Sequence, residues 1–475
     1  MRMGTTEARW VLLATVLGSG IAFLDGTVVN VALPAISRDL DAGLGDLQWV
    51  VNAYLVTLSA LVLLGGSLGD RFGRKRVFLL GLYGFTGASV LCGLAPTVGV
   101  LIGARAVQGV GAALLVPGSL AMISALFHPD DRAAAVGAWS GLAGIATALG
   151  PFLGGWLIDS VSWRLAFFIN VPLAAVVVIA AQHVPETSSG GTERIDVPGA
   201  LAASFGLALA TYGLIERSVA VGLVGVAVLI AFLVIQARGQ APMMPLGLFR
   251  SRQFSGTNLT TLAVYGALGG AFFLFVLELQ VVLGYSALES GAALIPVTIL
   301  MLLLSARAGA LAQKIGPRLP MTLGAAGVAA GLVLWSRVDA GSTYVTGVLP
   351  GAMVFGLGLS LTVAPLTATI MASVEEAHLG VASGVNNAVA RVAGLLAVAV
   401  LPLVVGLDAS AATGAALDAG ADDALLVAAA VALVGGLIAL ATIRTVEPEV
   451  EATPVGVGCD PCTDPDMVDH ARGVA

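Results

Sequence analysis

A short, strongly basic segment separates two long apolar runs near the N-terminus, and this pattern constrains the fold more than any other feature. The segment 66–76 reads Gly-Ser-Leu-Gly-Asp-Arg-Phe-Gly-Arg-Lys-Arg, and the flanking apolar runs cover residues 48–68 and 77–94. Apolar runs of this length can cross a bilayer as helices. Because Arg and Lys concentrate in cytoplasmic loops, the segment is predicted to be a cytoplasmic loop between two membrane-spanning helices.

The basic segment has a weaker copy in the second half of the chain. Residues 309–318, Gly-Ala-Leu-Ala-Gln-Lys-Ile-Gly-Pro-Arg, repeat its Gly, Leu, basic, apolar, Gly and basic positions without a gap. Two copies of one loop predict two copies of one helix bundle, which is how many secondary transporters are built.

Composition agrees with a polytopic membrane protein. The 475 residues are 58% hydrophobic and 11% charged, whereas soluble domains carry roughly 25% charged residues. Most of the net charge of −7 lies in residues 445–475, where acidic residues far outnumber Arg472. We expect this stretch to be a disordered, solvated cytoplasmic tail. The rest of the chain is nearly neutral, so nucleic-acid binding is not indicated.

Fourteen apolar runs are candidates for membrane-spanning helices, and the distribution of basic residues orients them. With a cytoplasmic N-terminus, most of the 22 Lys and Arg residues fall on the cytoplasmic side, as the positive-inside rule requires. Both termini are therefore predicted to be cytoplasmic, and the first run is a helix without a signal-peptide cleavage site. The runs lie near residues 10–33, 48–68, 77–95, 98–126, 134–158, 164–183, 198–215, 219–237, 257–283, 291–311, 321–336, 344–370, 380–406 and 424–443.

The loop repeat divides these runs into two equivalent sets of six. The basic segment follows the second run and its copy follows the tenth, so the seventh and eighth runs are an insertion. The predicted fold is all-α, with fourteen spans. We expect a six-helix bundle in residues 1–183, a linker with two extra helices in 184–253, and a second six-helix bundle in 254–444. The part of the linker over residues 238–253 is expected to lie along the membrane surface.

Asp25 and Arg105 are charged residues inside predicted spans. A charge at the bilayer centre costs roughly 2.5–3.5 kcal/mol on insertion scales, so it normally faces a cavity or a partner. Both residues lie roughly 10–12 Å below the outer surface, counted at the helical rise per residue. They are predicted to pair, directly or through Gln108. Protonation of Asp25 would switch this pair; the alternative is a permanent structural ion pair.

Two further charged residues lie in spans of the second half. Glu278 either reaches outer water or faces the cavity, where it would serve a cationic substrate or a second proton. Arg391 lies near mid-membrane with no evident partner. Asn386 and Asn387 precede it by about one turn, and they either line the cavity or form hydrogen bonds between helices.

Two glycine-containing segments are expected to act mechanically. In the basic segment, glycines permit tight turns and the carboxylate can bond an Arg or a helix N-terminus, so a conformational latch is expected beyond a topology anchor. In the fifth run, Pro and glycines favour a kink with close helix contacts, either as a hinge or as plain packing. The latch residues are Gly66, Asp70, Arg71, Gly73 and Arg74, and the hinge residues are Gly150, Pro151, Gly154 and Gly155.

Catalysis and metal binding are not indicated. Cys92 lies in an apolar run and is expected to serve packing. Cys459 and Cys462 form a lone Cys-x-x-Cys in the tail with only His470 nearby, whereas a zinc site needs about four ligands. The four histidines are scattered, and no nucleophile elbow or phosphate-binding loop is present. We therefore expect no metal, no cofactor and no enzymatic activity.

These motifs resemble those of a known family. The basic segment is similar to the signature loop of the major facilitator superfamily, and the twelve-plus-two layout resembles its fourteen-helix drug:proton antiporters, the quaternary-ammonium and multidrug exporters. The resemblance covers about residues 10 to 444, and Ala146, Gln313 and Glu278 depart from the family pattern. Four further stretches carry it: 24–34, which contains Asp25 and Asn30; 105–111, with Arg105 and Gln108; 150–155; and 162–172.

The resemblance implies a proton-transfer role for Arg105 and a proton-driven antiporter that exports small hydrophobic compounds, cationic ones among them, by alternating access. The alternative is a transporter of another small molecule without proton antiport, either a facilitator or an importer. The expected partners are a drug-like substrate, protons and the lipid bilayer. We expect a monomer in a bacterial cytoplasmic membrane, since the Ala-, Gly-, Val- and Arg-rich composition is typical of a high-GC bacterium.

Overall fold

The computed structural model describes residues 1–188, 196–239, 242–339, 341–375, 379–407 and 415–444. The tail 445–475, with Cys459 and Cys462, and part of the linker that precedes the two extra helices lie outside these ranges. The first helices are α1 (Thr6–Leu40), α2 (Leu44–Phe72), α3 (Arg74–Gly93), α4 (Val98–Leu126), α5 (Pro129–Ser160), α6 (Leu165–Phe168) and α7 (Asn170–Ala181). They are followed by α8 (Val197–Ile215), α9 (Val219–Arg238), α10 (Arg252–Val281), α11 (Ala287–Ala293), α12 (Ile295–Ile315), α13 (Arg318–Trp335), α14 (Leu349–Ala372), α15 (Leu379–Val404) and α16 (Ala415–Thr442).

The prediction of an all-helical, fourteen-span fold is confirmed. Within the described residues, twelve helical stretches are long and apolar enough to cross a membrane, with α11 and α12 joined as one of them. The remaining two predicted spans correspond to α5, with 32 residues, and to the apolar stretch Leu165–Ala181. The largest difference from the predicted bounds is at α16, which begins at Ala415 and so includes several acidic residues that read as loop in the sequence.

Helix starts follow local capping chemistry. The side chains of Thr5, Thr97 and Ser251 accept hydrogen bonds from backbone N–H groups in the first turns of α1, α4 and α10. Such caps satisfy donors that have no partner inside the helix. Gly73 separates α2 from α3 with φ of 107°, a backbone conformation that strongly favours glycine.

The helices pack into two bundles. In the first, α1 lies against α5 and α7, while α4 lies against α2 and α3. Glycines bring these backbones close: at Gly65 any Cβ would overlap the Ala113 carbonyl group of α4. In the second bundle, α10 packs on α15 and α16, and α14 packs on α12 and α13. Small residues at such contacts are typical of membrane helices.

The two extra helices form a hairpin at the side of the molecule. Helix α8 contacts α2 of the first bundle and α15 of the second, whereas α9 packs on α8 and is otherwise mostly exposed. The segment before α10 contains a short 3₁₀ turn, Leu246–Arg250. Its Leu248 and Phe249 pack beside Phe254 and Ile370, so these apolar side chains cover the second bundle.

Candidate functional site

Asp25 is the centre of a buried polar cluster inside the first bundle. Its carboxylate accepts hydrogen bonds from Arg105, from Gln108 Nε2 at 2.8 Å and from Asn170 Nδ2 at 3.1 Å. The exposed fraction of each of these residues is 1% or less. Helices α1, α4 and α7 thus each supply polar groups to one site.

The rest of the cluster holds Arg105 and the two amides in fixed orientations. Ser89 Oγ accepts from Gln108 Nε2 at 2.6 Å and from Asn170 Nδ2 at 2.9 Å. Arg105 donates through Nε to the Val50 carbonyl oxygen at 3.0 Å and through Nη1 to Gln108 Oε1 at 2.6 Å. Its guanidinium also lies 4.4 Å from the centre of the Tyr54 ring. A buried ion pair needs such additional hydrogen bonds to offset the cost of desolvation.

The predicted pairing of Asp25 with Arg105 occurs, both directly and through Gln108. The prediction from depth holds because residues at equal depth on two contacting helices of one bundle lie at the same level and can meet. Ser89, Tyr54 and Asn170 were not predicted as members. For Asn170 a signal was available, because it is the single polar residue of the otherwise apolar helix α7; Ser89 on α3 and Tyr54 on α2 have no comparably distinct pattern.

A large cavity lies between the two bundles, with a volume of about 860 Å³. Helix α1 turns Phe23, Gly26 and Asn30 toward it. Since successive helical residues are rotated by about 100°, Asp25 points to the other side of α1. The Asp25–Arg105 pair is therefore separated from the cavity by the thickness of α1. The other lining residues include Val51, Leu55, Leu120, Ser124, Trp139, Tyr265, Phe272, Thr367, Met371, Ser383, Asn386, Asn387 and Arg391.

The predicted amides do line this cavity, although one of them is engaged between helices. Asn386 Nδ2 donates to Thr261 Oγ1 at 2.8 Å and to Asn258 Oδ1 at 3.2 Å, both on α10. Asn387 Nδ2 donates to the Ser383 carbonyl oxygen at 3.2 Å within α15. The two alternatives for these residues, cavity lining and interhelical bonding, are thus combined at Asn386.

Glu278 corrects the sequence prediction, because it neither reaches outer water nor lines the cavity. Its side chain is completely buried, and both carboxyl oxygens lack a hydrogen-bond partner within the described part of the chain. Gly256 lies against Thr442, and Gly435 lies against Ala263. This antiparallel register places Glu278 on α10 opposite residue 420 of α16. The sequence could not predict this orientation, because α10 is apolar around its whole circumference near this end.

Two further acids flank that position on α16. Asp418 and Asp422 are one helical turn apart and each has a buried carboxyl oxygen, Oδ1, without a hydrogen-bond partner among the described residues. Their charges act on Glu278 from the facing helix. The described residues contain no cluster of three or more His, Cys, Asp or Glu side chains arranged to hold a metal ion.

The basic segment is bonded to the chain that follows the first bundle. Arg74 forms an ion pair with Asp70 at 2.7 Å, one turn away. The Glu186 carboxylate accepts from the backbone N–H groups of Lys75 at 3.0 Å and Arg76 at 3.1 Å. It thereby caps the N-terminus of α3, and a Cβ on Gly73 would lie 2.9 Å from it. Glu186, more than a hundred residues away, was not predicted as part of this loop.

The Gly-Pro segment of α5 lies between α1 and the second bundle. Gly150 and Gly154 face α1, where added side chains would overlap Thr27 and Val28. Gly155 faces α11 of the second bundle, and a Cβ there would lie 2.6 Å from Leu288 Cα. The segment, predicted as a hinge or as plain packing, thus packs closely on α1 within the first bundle and contacts the second bundle at Gly155.

The bundles are bonded together at the end opposite the basic segment. Asp159 at the end of α5 accepts from the backbone N–H groups of Ala287 at 3.1 Å and Leu288 at 2.8 Å. Gln48 donates to the Val398 carbonyl oxygen at 2.6 Å, and Gln280 donates to the Val31 carbonyl oxygen at 3.0 Å. The cavity, in contrast, extends to Leu120, Ser124 and Met371 near the ends of α4 and α14 on the basic side. This conformation is closed opposite the basic segment.

Two helix bundles around a central cavity, with a buried ion pair beside it, define a membrane transporter rather than an enzyme. The family model of the Major Facilitator Superfamily matches residues 15–398, and the chain belongs to this superfamily. It is 36% identical over 415 residues to the puromycin resistance protein pur8 of Streptomyces alboniger, covering 84% of this chain and 82% of that protein. It is 34% identical over 403 residues to a tetracenomycin C resistance and export protein of Streptomyces glaucescens, covering 82% and 74%.

A solved structure shares the fold. A bacterial homolog of the human lysosomal transporter Spinster, in an inward-facing and unoccupied conformation, aligns with a TM-score of 0.67 and 15% sequence identity. The alignment covers 94% of this chain and all of that chain. The protein is thus a multi-pass membrane transporter of the major facilitator fold, similar in sequence to antibiotic resistance and export proteins.

Proposed function

We propose that the protein exports small hydrophobic, drug-like compounds in exchange for protons, by alternating access. The names of its relatives support the substrate class, and the cavity of about 860 Å³ is large enough for compounds of this size. The observation that carries proton coupling is the buried cluster of Asp25, Arg105, Gln108 and Asn170 directly behind the cavity wall.

Protonation of Asp25 would reorganise this cluster. A neutral carboxyl group no longer compensates the charge of Arg105, which then keeps Gln108, the Val50 carbonyl group and the Tyr54 and Phe167 rings as neighbours. Leaving one buried charge without its partner costs several kcal/mol, enough to drive a helix rearrangement. Helix α1 carries Asp25 on one side and Phe23, Gly26 and Asn30 on the other. A shift of α1 would therefore alter the cavity even though the proton and the substrate bind to different residues.

The conformational cycle would use the contacts at both ends of the bundles. In the present conformation substrate enters from the basic side, and export requires the bonds of Asp159, Gln48 and Gln280 to break. Gly155 of α5, which faces α11, would lie on the surface along which the bundles separate. The basic segment, now held by Glu186, would exchange partners and act as a latch when the basic side closes.

Glu278 is proposed as a second proton-binding group. A completely buried carboxylate with no hydrogen bond is very costly, and two facing acids, Asp418 and Asp422, would repel its charge. We therefore expect Glu278 to be neutral while the end opposite the basic segment is closed. Opening of that end would admit water between α10 and α16 and allow the proton to leave.

We place the basic side and both termini in the cytoplasm of a bacterial cell, with the protein in the cytoplasmic membrane as a monomer. The basic segment, its copy at residues 309–318 and the positive-inside rule support this orientation. The proton gradient would be the only energy source, with no bound cofactor.

A second candidate is transport without proton antiport. The complete burial of Asp25 and Arg105 supports it, because a permanent structural ion pair needs no exposure to water, and neither group has any appreciable exposure in this conformation. Efflux of a fluorescent substrate from cells, with and without collapse of the proton gradient by an ionophore, separates the two. Antiport predicts that collapse abolishes efflux against a concentration gradient, whereas a facilitator would continue to equilibrate the compound at the same rate.

A further inference from the structure

Among the described residues that line the cavity, Arg391 is the one that carries a formal charge, and it has no ion-pair partner there. None of the ion pairs between described residues includes it, and its buried Nε atom has no hydrogen-bond partner. The residue is partly exposed and lines the cavity, so part of its side chain is accessible from there. A guanidinium presents a planar fork of donors that matches a carboxylate.

The remaining cavity offers no competing negative charge. Its lining residues, as far as the structure describes them, include no Asp or Glu. The nearest acid on α1, Asp25, is bonded to Arg105 behind the helix, and Glu278 lies between α10 and α16. A cationic substrate would therefore meet one like charge and no counter-charge in this conformation.

Aromatic rings lie next to the unpaired guanidinium. Arg391 is 5.7 Å from the centre of the Phe23 ring, and Tyr265, Phe272 and Trp139 line the same space. Flat apolar surfaces can stack on these rings while a charged group reaches Arg391. Asn387 and Thr367 add polar groups to the same wall.

We infer that Arg391 recognises an acidic group on the substrate, so that the preferred compounds are aromatic or polycyclic monoanions rather than cations. This inference rests on the proposed export function and specifies its substrate class. The reason is electrostatic: an anion supplies the missing counter-charge in a site of low dielectric, where the attraction between opposite charges is stronger than in water.

The test compares three probes that share a fluorescent ring system and a four-carbon chain and end in an anionic, a neutral and a cationic group: 1-pyrenebutyrate, 1-pyrenebutanol and 4-(1-pyrenyl)butylamine. Binding is titrated with purified protein, without a proton gradient. The parent protein should bind the butyrate most tightly. Arg391→Met should weaken butyrate binding at least about tenfold, as expected when one partner of a partly buried charge pair is lost, and change butanol binding less than twofold.

Two further variants keep the result interpretable. Arg391→Lys retains the charge without the planar fork of donors, so its affinity for the butyrate should lie between those of the parent and Arg391→Met. Arg307→Met removes an exposed Arg elsewhere and should change nothing. The inference is overturned if the parent does not bind the butyrate, if it prefers the amine, or if Arg391→Met weakens butanol and butyrate equally. None of these results depends on proton coupling, so export against a gradient can still be confirmed or refuted independently.

Discussion

A single methyl group at Gly155 should open the end of the transporter opposite the basic segment. Gly155 on α5 faces α11 of the other bundle, and a Cβ there would overlap the Ala287 carbonyl oxygen and lie 2.6 Å from Leu288 Cα. Both neighbours are backbone atoms, which cannot move aside as a flexible side chain can. Gly155→Ala therefore requires the bundles to separate locally by about 1 Å, from the present distance to an ordinary carbon–carbon contact of roughly 3.5 Å.

The expected size of the effect follows from the cost of overpacking. Inserting a methyl group into a well-packed contact costs about 1–3 kcal/mol. Only the conformation closed at this end contains the contact, so the whole cost biases the conformational equilibrium. That corresponds to a shift of about 5- to 150-fold toward the open form, since about 1.4 kcal/mol equals a factor of ten.

The equilibrium can be read from a distance between spin labels on the two bundles. Val161 follows α5 and is 71% exposed, and Val345 is 66% exposed in the second bundle; cysteines at both positions, with the native cysteines replaced, carry the labels. Gly155→Ala should raise the population at the longer distance. Gly137→Ala is the matched control on the same helix, because nothing lies within 4 Å of its added Cβ. An unchanged distance distribution in Gly155→Ala would refute the role of this contact.

Two other substitutions test the basic segment and the acidic cluster. Glu186→Gln should lower the free energy of unfolding by about 0.5–2 kcal/mol, because the amide oxygen is a weaker cap for the N–H groups of Lys75 and Arg76. Thermal unfolding of the purified protein measures this loss, and an unchanged midpoint would mean that the cap is unimportant. Glu278→Gln should leave thermal stability equal or higher, because a neutral amide resembles the neutral acid beside Asp418 and Asp422. The same substitution should reduce proton release during transport. A large loss of stability would indicate that Glu278 carries a charge in this conformation.

The spans were predictable because they depend on composition over about twenty residues. Helix α16 was the exception: its first turns contain Asp418, Asp422 and Asp423, which a hydropathy criterion assigns to a loop, whereas the structure continues the helix through them. Acidic residues are tolerated there because they lie at the end of a span, where part of each side chain is accessible.

The membership of the polar cluster was only partly predictable. Asp25 and Arg105 could be placed at one depth from the helical rise alone, with Gln108 one turn away. The face of α1 or α10 on which a residue lies could not be predicted, because a helix that is apolar all round gives no amphipathic signal. For this reason both positions predicted for Glu278 were wrong, and the orientation of Asp25 away from the cavity was not predicted. Contacts such as Glu186 with the start of α3 depend on the tertiary fold and leave no local pattern.

The central claim, that Asp25 couples proton movement to export, is tested most directly in reconstituted liposomes. Parent protein and Asp25→Asn are compared in two modes, accumulation of a labelled substrate driven by an imposed pH gradient and exchange of that substrate at equal pH on both sides. The account predicts that Asp25→Asn loses gradient-driven accumulation and retains exchange, because the neutral amide resembles protonated Asp25 permanently and cannot bind or release a proton, while the residues that line the cavity are unchanged. Gradient-driven accumulation at the parent rate by Asp25→Asn would contradict it.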